Sequence, residues 1–416
     1  AGDNVREDCA LQNNRFLPFT RRDCFALGLG AVNSVGNTRR TVRLAALPTG
    51  RNPVSTFIPV ARIADMLLHP GQAFRYNGQT LHYPDIRLVY WAGGNPFHHH
   101  QDLNRLREAW RKPETVIVHE PHWTPLARHA DIVLPATLSA ERNDIAGSPR
   151  DTHLFATKAI AEPYADARDD HDIFAGLALR LSSPDDRLNS LEAAFTGGKD
   201  KEGWLRDLYD DTRERLAATG VQMPAFQAFR EAGFFAFDTP EDACVLLKTF
   251  RDDPDANPLP TPSGRLEIFS ETIAGFGIRD NPGHPAWTPP AEWLGARLAE
   301  RWPIHLVTHQ PARRLHSQLD HARHSLEGKI GGREACVINA QDAAERGVRD
   351  GDIVRIFNGR GSCLAGVRIS ADLTPGVAMM PTGAWLDIDE SWNPACCKHG
   401  NVNIVTPDRA TSELAQ

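Results

Sequence analysis

The sequence predicts an α/β parallel-sheet domain of Rossmann-like kind followed by a C-terminal β-barrel. Three observations carry this. Between residues 86 and 135, short apolar runs alternate with amphipathic segments, the pattern of parallel strands joined by crossover helices. After Trp302 the texture changes to short strands, tight turns and one small helix. The chain has 416 residues, 41% hydrophobic and 24% charged, which is ordinary globular usage. At about 100–200 residues per domain this length accommodates two to four domains.

The elements follow in order. Residues 1–54 read as an irregular N-terminal remnant. A Rossmann-like cofactor-binding domain is expected over 55–198. Val60, Ile63, Ala64, Leu67 and Leu68 have helical spacing. Residues 86–91 form a buried strand, 92–96 a loop and 101–110 a helix with Leu103 and Leu106 on one face. A second strand is expected over 115–120, a short helix over 123–129 and a third strand over 131–135. Residues 199–300 read as a helical and linker segment completing a second α/β domain; helices are expected over 172–181, ahead of it, and over 204–218, within it. Pro254, Pro258, Pro260 and Pro262 mark a surface loop. The barrel is expected over 301–416. Its strands are 304–308, 335–338, 353–357, 363–369 and 377–380, with a helix over 339–346 ended by Gly347. Asn358-Gly359-Arg360-Gly361 is a hairpin signal.

Composition excludes several classes. Net charge is −7, so no global pull toward nucleic acid exists. No apolar run approaches the ~20 residues of a membrane span. Seven cysteines without a CxxC pair argue against a zinc ribbon or disulfide scaffold, and the thiols read as reduced or inert. The stretch from Thr20 to Leu29 has a twin-arginine look. Its apolar part is short, and Asn33, Asn37, Arg39 and Arg40 follow, so a chance match is expected. The chain begins at Ala1, which fits a processed chain or a fragment.

The candidate chemistry concentrates in a few loops. Gly93-Gly94-Asn95-Pro96-Phe97-His98-His99-His100 leaves a strand and enters a helix. Such loops, at the carboxyl ends of parallel strands, are where open sheets bind ligands. Gly94 lets backbone approach a ligand, and the helix start offers N–H groups to a phosphate. Glu120 ends the next strand and is placed to accept from ribose hydroxyls; a plain turn with a solvated acid is the alternative. The three histidines are poorly spaced for one metal ion, and two solvated rings with one packed is the expected arrangement. Arg142 is either a phosphate clamp or a member of a surface charge cluster. Arg313-Arg314-Leu315-His316-Ser317-Gln318 gathers donors suited to a polyanionic ligand. Lys398-His399-Gly400-Asn401-Val402-Asn403 is a second polar loop. No GxSxG, HExxH or Walker A string occurs, so the chemistry is expected to come from a cofactor.

The strings 90–102, 129–137 and 141–144, with Arg314-Leu315-His316-Ser317-Gln318-Leu319 and the hairpin 350–365, resemble the molybdopterin S-/N-oxide reductases. This is the dimethyl sulfoxide, trimethylamine N-oxide and biotin sulfoxide reductase family, with its biotin sulfoxide reductases nearest. The resemblance runs from about Phe25 to Gln416. It implies a double-psi type barrel that binds a dinucleotide, a bis(molybdopterin guanine dinucleotide) molybdenum cofactor, and reduction of an S- or N-oxide by oxygen atom transfer. The implied cofactor positions are Gly94, Asn95, His99, His119, Glu120, Arg142, Asp170, Thr308, His309, Arg314, His316, Ser317, Gln318 and Asn403. An oxide substrate and an electron donor are implied as partners, with no nucleic acid and no membrane span. A cytoplasmic location is expected, the periplasm being the alternative. Two departures accompany this. The family is nearly twice as long, and its N-terminal half, which carries the serine that ligates molybdenum, has no counterpart here. The family's last Gly-Gln contact also lies beyond Leu414-Ala415-Gln416. No catalytic residue or metal ligand can therefore be named. The expected outcomes are an enzyme segment inactive alone, with the missing N-terminal half of the enzyme as a partner, or a truncated dinucleotide-binding module without catalysis.

Overall fold

The computed structural model describes residues 26–29, 40–43, 45–48, 54, 58–147, 152–182, 191–238, 245, 247–410 and 412–414. Most of the twin-arginine stretch, along with Cys9, Cys24 and Cys244, lies outside them. The chain divides into two compact units, Ala1–Phe57 with Leu134–Phe269, and Ile58–Val133 with Ser270–Gln416. They group the chain differently from the consecutive blocks read in the sequence.

The second of these units carries most candidate residues. It starts with a helix, α1 (Ile63–Leu68), which buries Ala64 and Leu67. A hairpin follows, β1 (Ala73–Tyr76) and β2 (Gln79–His82), turned by Asn77 and Gly78 at φ 47° and 75°. An Asn-Gly pair between short strands is a strong hairpin signal, which the apolar periodicity alone passes over. Then come β3 (Leu88–Ala92), a single turn α2 (Pro96–His99), α3 (Leu103–Trp110) and β4 (Thr115–Glu120). The two strands run parallel, with Ala92 opposite His119, and β5 (Ile132–Pro135) completes a three-stranded sheet in the order β3-β4-β5. The helix expected over 123–129 is reduced to a 3₁₀ turn, Ala127–His129.

The C-terminal part contains β6 (His305–His309), α4 (Arg323–Leu326), β7 (Ala335–Asn339), α5 (Ala340–Glu345), β8 (Ile353–Phe357), β9 (Ser362–Ser370), β10 (Val377–Pro381), β11 (Ile388–Asp389) and β12 (Cys396–Cys397). Asn339 caps α5 by accepting from Gln341 N (2.7 Å). The strand order is β6-β10-β7-β9-β12-β11, with β8 on β9. The closed double-psi barrel implied by the resemblance is not formed: the sheet is curled and open, and among the described residues β6 and β11 do not pair. β11 and β12 are two residues each, too short a ladder to carry closure. The concave side lines an apolar cavity of about 1010 Å³ with Trp293, Leu298, Trp302, Leu306 and Phe357, and none of the candidate site residues borders it.

One core serves both sheets of this unit. Leu103, Leu106 and Trp110 of α3 and Val116 and Val118 of β4 join Cys363, Ala378, Met380 and Ile404. That common apolar core ties the parallel sheet to the curled one, because a helix stripe must bury against some partner. Cys336, Cys363, Cys396 and Cys397 are buried and unbridged, and burial raises the Cys336 thiol to about 12, in keeping with inert thiols.

The other unit holds an antiparallel pair, Ala26–Leu29 with Arg40–Arg43, inside the stretch read as irregular. Its helices Asp170–Leu181 and Lys201–Ala217 match the expected segments. Leu154, Tyr209, Phe226 and Phe229 form its core. Among the described residues no helix is long and apolar enough to cross a membrane.

Candidate functional site

The loop after β3 is shaped by two glycines. Gly93 and Gly94 take φ 81° and 79°, and both are exposed, so the backbone lies open at the strand end. Trp91 Nε1 donates to Gly94 O (3.1 Å). Asn95 then caps α2, accepting from Phe97 N (3.1 Å), and its amide donates to Glu120 Oε1 (3.4 Å). Glu120 also accepts from Thr124 Oγ1 (2.7 Å). Burial raises the Glu120 carboxyl above its ordinary range, and these two donors oppose the shift. His119 faces Tyr90, with the hydroxyl and Nε2 2.7 Å apart. Asn95 and Glu120 thus meet at one sheet edge, as expected of loops at the carboxyl ends of neighbouring parallel strands.

The helix N-terminus expected to receive a phosphate is partly capped from within: Asn95 accepts from one N–H of α2, and Asp102 caps α3 by accepting from Arg105 N (3.3 Å). The histidine expectation is also corrected: His98 and His100 are buried and His99 is the exposed ring. His100 turns inward to Asp408 (3.5 Å). His99 is open to solvent, yet neighbouring protein partly desolvates its ring. That desolvation, followed by the charges of His100 and His316, holds its imidazole below the ordinary value.

His316 belongs to the second loop. There Arg314 is buried, and every donor it uses is given to protein: Nε to His316 O (3.0 Å), Nη1 to Ser325 Oγ (3.2 Å) and Nη2 to Thr382 O (2.9 Å). It pairs with Glu334 (3.0 Å) and Asp320 (3.4 Å). Lys329 pairs with the same two carboxylates at 3.3 and 2.7 Å, which closes a buried four-charge ring. His316 and Gln318 are exposed and Ser317 is half-buried. Thr308 is exposed on β6, and His309 O accepts from Thr382 N (2.9 Å). Asn403 Nδ2 donates to His98 O (3.2 Å), binding the late polar loop to the sheet-end loop.

Arg142 and Asp170 lie in the other unit. Arg142 donates to Thr137 O (3.0 Å) and pairs with Asp144 (3.3 Å), and Asp170 is exposed in the first turn of its helix.

Residues 23–180 match the molybdopterin oxidoreductase family, and residues 304–416 match the molybdopterin dinucleotide binding domain. The chain belongs to the molybdopterin oxidoreductases. It is related to the dimethyl sulfoxide, trimethylamine N-oxide and biotin sulfoxide reductases. It is 44% identical to biotin sulfoxide reductase of Cereibacter sphaeroides over 94% of its own length and 51% of that protein. It is 46% identical to dimethyl sulfoxide/trimethylamine N-oxide reductase of the same organism, over 87% of this chain and 43% of the other. Trimethylamine-N-oxide reductase of Haemophilus influenzae is 43% identical, over 90% and 46%. The chain therefore spans about half the length of these relatives. Acetylene hydratase from Pelobacter acetylenicus shares the fold at 16% identity, TM-score 0.51, covering 73% of this chain and 38% of that one.

Sequence reasoning missed Thr124, Asp320, Lys329, Glu334, Trp385 and the special position of His98. The triple histidine was a visible signal for His98. The charge ring had none, because its members are spread over 21 residues and meet through tertiary packing alone.

Burial, more than the neighbouring charge of His99, lowers His98 from 6.5 to about 3; Asp320 opposes this and Arg314 adds to it. The folded imidazole stays neutral while the unfolded one takes a proton below its ordinary value. Stability is therefore complete above pH 6.5 and falls as the pH drops toward 3. At pH 5 the loss from this group is about 2 kcal/mol. Urea melts of wild type and His98→Phe at pH 7 and pH 5 check this: wild type should lose about 2 kcal/mol more than the variant. Parallel pH profiles would contradict it.

Proposed function

We propose that this chain is the cofactor-binding C-terminal part of an oxidoreductase that reduces S- or N-oxides, and that its cleft holds molybdopterin guanine dinucleotide. The observation that carries the reading is the joining of two polar loops: Asn95 of the Gly93–His99 loop bonds Glu120, Trp385 bridges His98 to Ser317, and the exposed His99 ring feels the charge of His316. The donor set suits a guanosine diphosphate group. His99, His316, Gln318 and Thr308 are accessible side chains, and Gly94 leaves backbone open beside them. Glu120 is half-buried and positioned as an acceptor. Asn95, His119, Ser317, Asn403 and Arg314 contribute by holding these loops, since their bonds to protein are already made. His309 steadies the strand end below, and Arg142 and Asp170 are proposed as cofactor contacts of their own unit.

When bound, the cofactor supplies the two-electron chemistry of oxygen atom transfer. This chain's own residues bind and orient it: the sheet-end loop offers backbone and imidazole, and the barrel loop offers amide and imidazole donors. A metal-ligating group of His, Cys, Asp or Glu is not found among the described residues, so no ligand to molybdenum is assigned.

The test is calorimetric titration of the purified chain with GDP, with bound guanine measured after acid denaturation. Saturable binding, and guanine in the denatured supernatant of protein from a cofactor-producing host, are expected. Absence of both would overturn the reading. Gln318→Ala should weaken GDP about 3–10-fold, the loss of one hydrogen bond, without lowering the melting temperature.

A further inference from the structure

We propose that His98 is a further ligand contact of this cleft, donating from Nε2 to an oxygen of the guanosine diphosphate group, and that Trp385 is its positioning residue. The inference rests on the nucleotide reading above and adds a residue that the family resemblance does not assign.

His98 is 7% exposed, and its Nε2 is buried without a hydrogen-bond partner among the described residues. Buried polar atoms are ordinarily bonded, and a plain core histidine would satisfy this nitrogen within the protein. The ring cannot readily turn away to find a partner. Its backbone is held at both ends, with His98 N donating to Asn95 O (3.2 Å) and His98 O accepting from Asn403 Nδ2 (3.2 Å). Its face stacks on Trp385, centroids 5.7 Å apart and planes within 15°.

Trp385 is in turn fixed at two points. Its backbone N donates to Asp320 Oδ2 (3.0 Å) and its indole Nε1 to Ser317 O (2.8 Å). His321 packs against the same indole at 4.8 Å. Asp320 is a corner of the buried charge ring, so the platform under His98 is anchored in a rigid part of the fold. The outcome is an imidazole locked between the sheet-end loop and the 314–320 loop, one residue from exposed His99. Burial keeps it neutral, which leaves one ring N–H to donate. The Arg314 guanidinium acts on it, and the Asp320 carboxylate beside it is already paired with Arg314 and Lys329, which favours an oxygen acceptor over a cation.

His98→Phe keeps the stacked ring and deletes the nitrogen. It should weaken GDP binding about 10-fold, the upper range for one hydrogen bond, with an unchanged near-ultraviolet circular dichroism spectrum. His98→Gln, which restores a donor, should recover most of the affinity. Trp385→Leu should weaken GDP as His98→Phe does, and the double variant should be no weaker than either, because the indole acts through the imidazole. Independently of any variant, the His98 Nε2 resonance of ¹⁵N-histidine-labelled wild type should shift on adding GDP. Wild-type affinity in His98→Phe, or an unmoved Nε2 resonance at GDP saturation, would overturn the assignment while leaving the nucleotide reading intact. Failure of wild type to bind GDP, with no guanine released on denaturation, would overturn both.

Discussion

Lys329→Met should destabilise the fold by about 3–5 kcal/mol, the cost of breaking a buried ion pair from one side. Lys329 and Arg314 are 5% and 4% exposed, and Asp320 and Glu334 about as little. Removing the ammonium leaves two carboxylates to share one guanidinium in a site that water cannot reach. The Glu334 carboxyl is already raised by burial, with Arg314 and Lys329 opposing that shift. Without Lys329 it rises further and takes up a proton nearer neutrality. Urea melts at pH 7 measure the loss. The double variant Lys329→Met/Glu334→Gln should lose less than the sum of its singles, because it removes one charge of each sign. A loss below about 1 kcal/mol in the single variant would show that the ring is solvated.

Gly383→Ala should cost about 3 kcal/mol and also lower GDP affinity. Gly383 has φ 84°, a backbone that side chains rarely adopt, and an added Cβ would lie 2.3 Å from His316 O. That atom is backbone and cannot swing aside. It is also the acceptor of Arg314 Nε, so moving it disturbs the 314–318 loop. His316 is itself left-handed at φ 51°, which leaves little freedom to absorb the shift. Thermal melts and GDP titration of the purified variant check both parts. A variant that melts and binds as wild type would mean the two loops separate more readily than their packing implies.

The parallel strands were legible because they are short apolar runs bounded by Gly, Pro or charge, and β4 was read to the residue. The hairpin β8–β9 was legible from its turn chemistry, as was α5 from Asn339 and Gly347. Helix 123–129 shortened to the 3₁₀ turn Ala127–His129, with Leu126 and Ala127 buried, an outcome its apolar spacing did not distinguish from a longer helix. Barrel closure failed for another reason: no local pattern states which distant strands pair. The three histidines show the same limit. Their adjacency is visible in sequence, but which rings are buried depends on Asp408, Trp385 and Asn403, all more than 280 residues away.

The sequence by itself determined the family, the order of the strands and helices that carry the site, and the two donor-rich loops. These are local properties: hydrophobic period, turn residues and contiguous strings of polar side chains. Tertiary structure alone decided that Arg314 spends its guanidinium on a buried ring with Lys329 and that His98 is pressed against Trp385. Each depends on a buried charge or a buried polar atom finding its partner across the fold. Desolvation makes such groups costly unless they are paired, and pairing is set by which surfaces are brought into contact.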